Sequence, residues 1–196
     1  MSTPPQMRRA DKVMSHTQTL ETLQRGYCGR LATIGEDGYP YCVPLLYVWL
    51  NGEVCLHNAK VRGHLRTNVD HESRVCFEVD EPGEVFPYGR FECDTSVAFR
   101  SVILFGKIRV VDETEAKQQF FEALMQKYAK TDWERPKGFF TRLDQITLYA
   151  ITVERMTGKE TPLPDVSEQW FSVDRTKTPN ARQESIRPTI HLKPAK

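Results

Sequence analysis

The dipeptide Asn51-Gly52 constrains the fold of this chain more than any other feature of its sequence. Asn-Gly is the strongest short signal for a two-residue β-hairpin, because both residues tolerate the positive φ angles of a type I′ turn. It is flanked by two strand-like runs, "YCVPLLYVWL" (41–50) and "EVCLHN" (53–58). These residues are therefore predicted to form an antiparallel hairpin. Pro44 has no N–H to donate to a ladder, so we expect a bulge or an open edge at that position.

Similar patterns along the chain predict further strands and helices. Ser15 or Thr17 can cap a helix that runs to Gln24 and stops at Gly26. Gly106 is expected to mark a bend or bulge in a long strand. The segment 81–94 is rich in Pro, Gly and aromatic residues and is predicted to be a loop. The other predicted strands are 28–34, 74–80, 97–111 and 146–159, and the other predicted helices are 62–70 and 112–129, the last with an apolar stripe of Phe120, Phe121, Leu124, Met125 and Tyr128.

This order of elements indicates one fold class. Successive strands joined by tight turns, with helices between some of them, predict a mostly β protein with peripheral helices, in which an antiparallel sheet closes into a barrel. Residues 1–14 are predicted to be a flexible arm, 15–160 the barrel domain, and 161–196 an extended tail. In the tail, Trp170-Phe171 would either anchor the chain on the barrel or cover a site.

The charge balance excludes some classes of partner. The 27 Lys and Arg residues and 26 Asp and Glu residues leave a net charge of +1, which gives no general attraction to nucleic acid or to an anionic membrane. No apolar run approaches the roughly 20 residues that span a bilayer, and the N-terminal residues lack the apolar segment of a secretory signal. We therefore expect a protein of the cytoplasm.

The five cysteines fit this expectation. They are odd in number and none are spaced as C-x-x-C, so neither a disulfide framework nor a zinc site is indicated. Cys28, Cys42, Cys55 and Cys76 stand in apolar runs and are predicted to pack as small hydrophobes, whereas Cys93 lies in the predicted loop.

Several catalytic motifs are absent. The sequence contains no G-x-G-x-x-G, no G-x-x-x-x-G-K-[ST], no G-x-S-x-G and no H-E-x-x-H, which argues against a dinucleotide fold of the Rossmann type and against a P-loop enzyme. His57, His64 and His71 recur at intervals of seven. Because His57 ends a strand and the other two stand on or near the next helix, this spacing does not predict a metal site.

The segment "VRGHLR" (61–66) is the best candidate for a binding site. It stands where a strand gives way to a helix, whose free N–H groups and positive dipole end favour an anion. Gly63 allows close approach to the backbone, and Arg62, His64 and Arg66 add positive charge. A solvated basic helix end is the alternative interpretation.

These residues also match a family pattern. The ordered segments "YCVPLLYVW", "EVCLHNA", "RGH", "RVCFEVDE" and "FRSVILFGKIRVV" resemble the FMN-binding split-barrel superfamily, which includes pyridoxamine 5′-phosphate oxidase. The resemblance covers about residues 20–158. It is strongest to the nitroimidazole-reductase (Nim-type) branch, through "LHNA", "RSVILFG" and "ERMTGK".

The resemblance implies a set of FMN-binding residues. "VPLLY", which is Val43, Pro44, Leu45, Leu46 and Tyr47, would run beside the isoalloxazine ring and ribityl chain. His57 and Asn58 would lie near the ring or the phosphate. The resemblance places Arg62, Gly63, His64 and Leu65 at the phosphate. It also implies flavin contacts on a second strand from Arg100, Ser101 and Val102, where the oxidase branch carries a glutamine in place of Ser101. Many relatives have a lysine where this chain has Leu65, so Arg62 or Arg66 would have to replace that cation.

The function implied is that of a homodimeric flavoprotein with FMN at the subunit interface, passing electrons from NADH or NADPH to a small acceptor such as a nitro compound or quinone. His57 is the best candidate for proton delivery. The basic residues that bind pyridoxal phosphate near the C-terminus of the oxidases are not recognisable here. Two alternatives remain: a flavin-binding protein without turnover, and a split-barrel protein that binds and degrades haem through a histidine ligand.

Overall fold

The computed structural model describes residues 8–89, 91, 93–130, 134 and 136–169. Within them, seven strands form one antiparallel sheet, and three α-helices pack around it. The strands are β1 (Gly29–Ile34), β2 (Pro40–Leu45), β3 (Tyr47–Leu50), β4 (Glu53–Ala59), β5 (Arg74–Pro87), β6 (Thr95–Val111) and β7 (Ile146–Thr161). The helices are α1 (His16–Arg25), α2 (His64–His71) and α3 (Thr114–Tyr128). The predicted fold class, mostly β with peripheral helices, is confirmed.

The hairpin that the sequence predicts most strongly is present. Asn51 has φ 53° and Gly52 has φ 83°, so both adopt the left-handed conformation of a type I′ turn. Leu50 pairs with Glu53 directly across it.

The predicted single strand 41–50 is wrong, because it consists of two strands that have different neighbours. The sheet order is β2-β1-β5-β6-β7-β4-β3, so β2 and β3 stand at its opposite edges. Only Leu46 separates the end of β2 from the start of β3. The two steps from Leu45 to Tyr47 span at most about 7 Å, whereas six strand spacings across a flat sheet would amount to about 29 Å. The two edges must therefore meet at Leu46, which closes the sheet into a barrel with a seam.

The seam explains Pro44. It lies on β2, which pairs with β1 and is the edge strand of the sheet. An edge strand tolerates a residue without an N–H, because one side of its backbone has no ladder to complete. The expected open edge at Pro44 is thus confirmed.

Tyr128, in the last turn of α3, bridges the seam. Its hydroxyl lies 2.8 Å from the carbonyl oxygen of Tyr27 and 2.9 Å from that of Tyr47, and can donate to one of them at a time. It also accepts from the backbone N–H of Tyr47 at 3.3 Å. One side chain thus joins the chain before β1 to the first residue of β3.

The core fills the inside of the barrel and the space beneath α3. Inside the barrel, Leu31, Tyr47, Leu56, Phe77 and Leu104 are fully buried. A second cluster forms where Phe120 and Leu124 of α3 cover the outer face of β3, β4 and β7. The predicted stripe on α3 is correct for these residues and wrong for Met125, which is 37% exposed.

The helix caps follow the sequence closely. Ser15 caps α1 in a capping box with Gln18, and Gly26 ends the helix, as predicted. The second helix begins at His64 rather than at Arg62, with Gly63 as its N-cap residue.

The sheet extends further than the sequence predicts. Segment 81–94 is not wholly a loop, because β5 continues to Pro87 and pairs with β6 across a bulge between Pro82 and Val85. At Gly106 the register between β6 and β7 shifts, as predicted. A Cβ there would collide with the carbonyl oxygen of Thr152, so only glycine fits.

The ends of the chain differ from expectation in one respect. The last two residues of the predicted N-terminal arm are attached to the sheet: Val13 forms a β-bridge with Lys159, and Met14 is buried. Trp170-Phe171 lies outside the described residues. Every helix in the described part of the chain is too short or too polar to span a bilayer.

The bridge at the seam generates a prediction for stability. Tyr128→Phe removes the hydroxyl and leaves backbone groups of Tyr27 and Tyr47 without this partner. We expect a loss of about 1–3 kcal/mol in the free energy of unfolding, measured by urea denaturation. Tyr39→Phe is the matched control, because Tyr39 is 74% exposed. Equal stability of the two variants would contradict a role for the hydroxyl at the seam.

Candidate functional site

The start of α2 lies against the edge strand β2. The ring of His64 stacks on that of Tyr41, with centroids 4.3 Å apart and planes 26° from parallel. One turn further along the same face of the helix, the Asn68 side chain donates to the Thr33 hydroxyl at 3.0 Å. The structure therefore brings together two parts of the predicted site, the β2 edge and the 62–66 segment.

The N-terminus of α2 is open. Gly63, its N-cap residue, offers no side chain to cap the first N–H groups. A Cβ at Gly63 would meet nothing within 4 Å. The first turn thus presents backbone donors to open space, which suits an anion.

The two arginines beside this helix end share one carboxylate. Arg62 Nη1 lies 2.6 Å from Asp70 Oδ2, and Arg66 Nε lies 2.9 Å from Asp70 Oδ1. Burial opposes the ionisation of Asp70, but the hydrogen bonds from Arg66 and Arg62 outweigh it and lower its pKa. One positive charge of the pair is left uncompensated by Asp70. The side chain of Arg62 is 60% exposed and that of Arg66 32%, so Arg62 is the more accessible cation.

The burial of position 65 explains why this segment has a leucine where many relatives have a lysine. The Leu65 side chain is 6% exposed and belongs to the core of the barrel. A lysine there would have to bury its ammonium group or turn back to the surface. Any contribution of Leu65 to a bound anion is therefore limited to its backbone N–H.

His57 and Asn58 lie on opposite faces of β4, since successive side chains of a strand alternate. The His57 ring packs against Phe120 and Phe121, with centroids 5.3 and 5.1 Å away. Burial lowers the pKa of His57, so the neutral form is favoured. Its Nδ1 is buried, with no hydrogen-bond partner among the described residues. The side chain thus stands on the α3 side of the sheet, away from Arg62.

Asn58 instead faces the inside of the barrel, near Tyr149. The Tyr149 hydroxyl lies near the side chains of Asn58, Thr147 and Arg66. Within the described residues, Asn58 Oδ1 and the Tyr149 hydroxyl are buried without a hydrogen bond of accepted geometry. Unsatisfied buried polar atoms are rare, and a bound polar group or water often accounts for them. These atoms mark a polar position beneath α2.

The five residues of "VPLLY" are placed differently from one another. Val43 and Leu45 are partly buried against the barrel core, while Pro44 is exposed and Leu46 is 39% exposed. Tyr47 is fully buried, and its hydroxyl donates to the carbonyl of Leu23. A ligand outside β2 would therefore reach the Tyr47 backbone but not its ring.

The segment Arg100–Val102 lies far from the α2 end of the same chain. Asn58 pairs with Thr147 of β7, whereas Ser101 pairs with Lys159 of the same strand. The twelve residues between these positions correspond to about 40 Å along the strand. Val102 is buried in the barrel core, so only its neighbours face outward. The predicted residues thus form two separate groups within one chain.

Several residues near the site were not predicted. Asp70 stands four residues after Arg66, a spacing that suggests a helical ion pair. Tyr41, Tyr149 and Lys127 carry no comparable signal, because only the tertiary structure brings them to the seam and to α2.

Lys127 is the most unusual of these residues. Its Nζ is buried without a hydrogen-bond partner among the described residues, 3.8 Å from the centroid of the Tyr47 ring. Burial lowers the pKa of Lys127 to about 8. A cation–π contact with Tyr47 compensates only part of the lost hydration.

The cysteines do not all pack as predicted. Cys55 is buried, and Cys28 and Cys76 are partly buried, but Cys42 is exposed. It lies on the face of β2 opposite to Tyr41 and Val43, which pack against the barrel core, so the prediction of a core position was wrong for Cys42.

The comparisons with known proteins agree with the resemblance in the sequence. The family model described as pyridoxamine 5′-phosphate oxidase matches residues 15–160. No curated protein matches the chain.

Solved structures with this fold include several of bacterial origin. An FAD-binding protein of Mesorhizobium loti is 25% identical, with 76% of this chain and 97% of that chain covered and a TM-score of 0.55. A proposed 5-nitroimidazole antibiotic resistance protein of Bacteroides thetaiotaomicron is 18% identical, over 76% of this chain and 86% of that one, with a TM-score of 0.63. An FAD- and haem-binding protein of Mycobacterium smegmatis is 17% identical, over 93% and 94% of the two chains, with a TM-score of 0.66.

The burial of Lys127 generates a prediction about pH. An unfolded lysine has a pKa of about 10.4, so between about pH 8 and pH 10.4 the unfolded chain holds a proton that the folded chain has released. The free energy of unfolding of the wild type therefore rises with pH across that window. Lys127→Met removes the buried charge and should be more stable than the wild type at pH 7, by a margin that narrows as the pH approaches 10.

Urea denaturation at neutral and alkaline pH measures this margin. Lys107→Met is the control, since the Lys107 side chain is 62% exposed and pairs with Glu154 at the surface. The prediction is contradicted if the difference in free energy of unfolding between Lys127→Met and the wild type does not change with pH, or if Lys127→Met is the less stable protein at neutral pH. Either result would show that burial does not destabilise the charged form of Lys127.

Proposed function

Since the chain belongs to the pyridoxamine 5′-phosphate oxidase family, we propose that it is an FMN-dependent oxidoreductase that passes electrons from NADH or NADPH to a small acceptor. When bound, the flavin supplies the redox chemistry, and the protein supplies binding, orientation and electrostatics. The observation that carries the proposal is the open N-terminus of α2, beside two arginines that share one carboxylate.

The chemistry of these residues fits a flavin phosphate. The free N–H groups of the first turn of α2 would bind phosphate oxygens, and the open space at Gly63 allows them to approach. Arg62 would supply the main side-chain cation, because it is the more exposed of the two arginines. In the part of the chain that the structure describes, Asn58 Oδ1 and the Tyr149 hydroxyl lie near each other and are buried without a well-formed hydrogen bond, which fits a polar chain such as the ribityl group.

The β2 edge is suited to the flavin ring. Its outer side is open, and Pro44 leaves no N–H there that would need a neighbouring strand. Leu46, 39% exposed, adds apolar surface next to it. The ring would thus lie along "VPLLY", with the phosphate toward α2.

We propose further that a second copy of the chain completes each site. Ser101 and Asn58 are separated by about 40 Å of strand within one chain, so one flavin that contacts both would need Ser101 from a partner. Ile103 and Phe105, 39% and 37% exposed on the part of the sheet that α3 does not cover, offer apolar surface for such an interface. Light scattering of the flavin-loaded protein should therefore give about twice the 22.7 kDa mass of a single chain. The mass of one chain would contradict the dimer.

His57 keeps its predicted role of proton donor in this proposal only if the flavin or acceptor reaches the α3 side of β4. Its environment favours the neutral imidazole, which can donate a proton only after acquiring one. A second side chain for proton delivery is not required, because water can serve at an open site.

The function is tested directly with the purified protein. FMN should bind with one site per chain, and the flavin absorbance should bleach under anaerobic conditions when NADH or NADPH is added. Reoxidation by a nitroaromatic compound or a quinone would complete a turnover. Stable FMN binding without reduction by either nicotinamide would indicate a flavin carrier without turnover, and no FMN binding would overturn the proposal.

Two charge variants test the phosphate site with effects of opposite sign. Arg62→Gln should weaken FMN binding roughly tenfold to a hundredfold, because a hydrogen bond to a charged group is lost. Asp70→Asn should strengthen it, because the carboxylate no longer competes for Arg62 and Arg66. Calorimetric titration with FMN and with riboflavin measures both effects.

Riboflavin is the matched ligand, since it lacks the phosphate. Its affinity should change little in either variant. If both ligands lose affinity equally, the substitutions disturb the ring pocket or the fold; if neither changes, the basic segment is a solvated helix end.

A further inference from the structure

A cavity lies at the end of the sheet that is remote from α2. Its volume is about 370 Å³, within the range of small-molecule sites. It is bounded by β5, β6, β7 and the segment that follows β7. Its lining includes Gly83, Ala98, Phe99, Arg100, Glu160 and Leu163.

A row of three charged residues forms one wall. Arg100 of β6 pairs in register with Glu81 of β5 and with Glu160 of β7. Its Nε donates to Glu160 Oε2 at 3.0 Å. Among the described residues, neither terminal nitrogen of Arg100 has a hydrogen-bond acceptor, so both can donate to a ligand.

The two carboxylates of this row already have partners. Arg25 donates to both oxygens of Glu81, at 2.8 and 2.6 Å, and these hydrogen bonds lower the pKa of Glu81. Gln18 donates to the second oxygen of Glu160 at 3.4 Å. Neither glutamate is therefore a ready acceptor for a cationic ligand.

Two lysines lie beside the cavity, and one of them adds to its positive charge. Lys12 Nζ donates to the hydroxyl of Thr161 at 2.9 Å, and Lys159 Nζ lies 5.6 Å from the centroid of the Phe99 ring. Both contacted residues line the cavity. Lys159 is the register partner of Ser101 and so points to the other face of the sheet from Arg100 and Glu160. Arg25, Arg100 and Lys12 therefore stand against the two glutamates, and this excess of one cation favours an anion.

Most of the remaining lining of the cavity is apolar. Gly83 and Ala98 form its floor, and a Cβ at Gly83 would lie 3.0 Å from the carbonyl oxygen of Ala98, so the floor has no bulky side chain. Phe99, Pro162 and Leu163, the last 43% exposed, stand around it. This shape suits a flat apolar body.

We propose that this cavity binds a small organic carboxylate, with the carboxylate on the terminal nitrogens of Arg100 and a flat apolar body over Gly83 and Ala98. In this proposal Arg100 belongs to the cavity rather than to the flavin site, to which the resemblance assigned it. Side chains alternate along β6, so Ser101 faces away from Arg100 and remains the predicted flavin contact. The proposal does not depend on flavin binding.

Benzoate is the probe, and benzamide is its uncharged counterpart of the same shape. Ligand-observed NMR on the full-length protein should detect benzoate with a dissociation constant on the order of 1 mM, as expected of a small fragment, and benzamide much more weakly. The affinity should be equal in flavin-free and FMN-saturated protein. Competition between benzoate and FMN would place benzoate in the flavin site and overturn the proposal.

Three variants test the residues. Arg100→Gln should weaken benzoate binding at least about tenfold, whereas Glu160→Gln should strengthen it, because Arg100 loses a competing carboxylate. Arg155→Gln is the matched control: its guanidinium lies 4.1 Å from the Phe105 ring, outside the cavity, and its benzoate affinity should equal that of the wild type. A gain in Glu160→Gln cannot result from misfolding.

The proposal fails if the wild type does not bind benzoate, if benzamide binds equally well, or if Arg100→Gln retains the affinity of the wild type. Weaker binding by Glu160→Gln would also contradict it, since that result would make the glutamate part of the recognition rather than a competitor.

Discussion

The closure of the sheet at Leu46 is the constraint on which the rest of the structure depends. Because β2 and β3 stand at opposite edges of the sheet and only one residue joins them, the sheet has to curve until these edges meet. The curvature creates the inside of the barrel, in which Tyr47 and Phe77 are fully buried. It also leaves the outer side of β2 open, and this is the edge proposed to hold a flavin ring. The same seam thus gives the fold its core and the site its free backbone.

The seam is held from outside by the end of α3. Tyr128 joins the backbone on its two sides through one hydroxyl, and Lys127 lies over the ring of Tyr47 with a buried ammonium group. The first interaction stabilises the closure, whereas the second carries a desolvation cost that lowers the pKa of the lysine. A costly buried charge beside a proposed cofactor edge fits the general finding that functional regions tolerate local instability.

Ion pairs are spread over the surface, and in two places they leave arginine donors available to a ligand. At α2, Arg62 and Arg66 share Asp70, and at the remote end of β6, Arg100 lies between two glutamates. In both places a carboxylate holds a guanidinium in position while leaving some of its donors free. This arrangement reconciles a net charge of +1 with local sites for anions, because each cation is partly compensated by its own neighbours.

The local structure can be predicted from the sequence. The Asn51-Gly52 turn, the capped helix α1, the long helix α3 and the bulge at Gly106 all follow from turn chemistry, capping and periodicity. The sequence also indicated the family and the basic segment at α2, because the order of its motifs is preserved along the chain. Only the tertiary structure decided that residues 41–50 form two strands, since the apolar pattern continues through Leu46 while the neighbours change. It alone placed Leu65 in the core, His57 and Asn58 on opposite faces of β4, and Ser101 far along the sheet from Asn58. These outcomes depend on which strands pair and on how the sheet curves, and contacts between residues distant in sequence leave no local pattern.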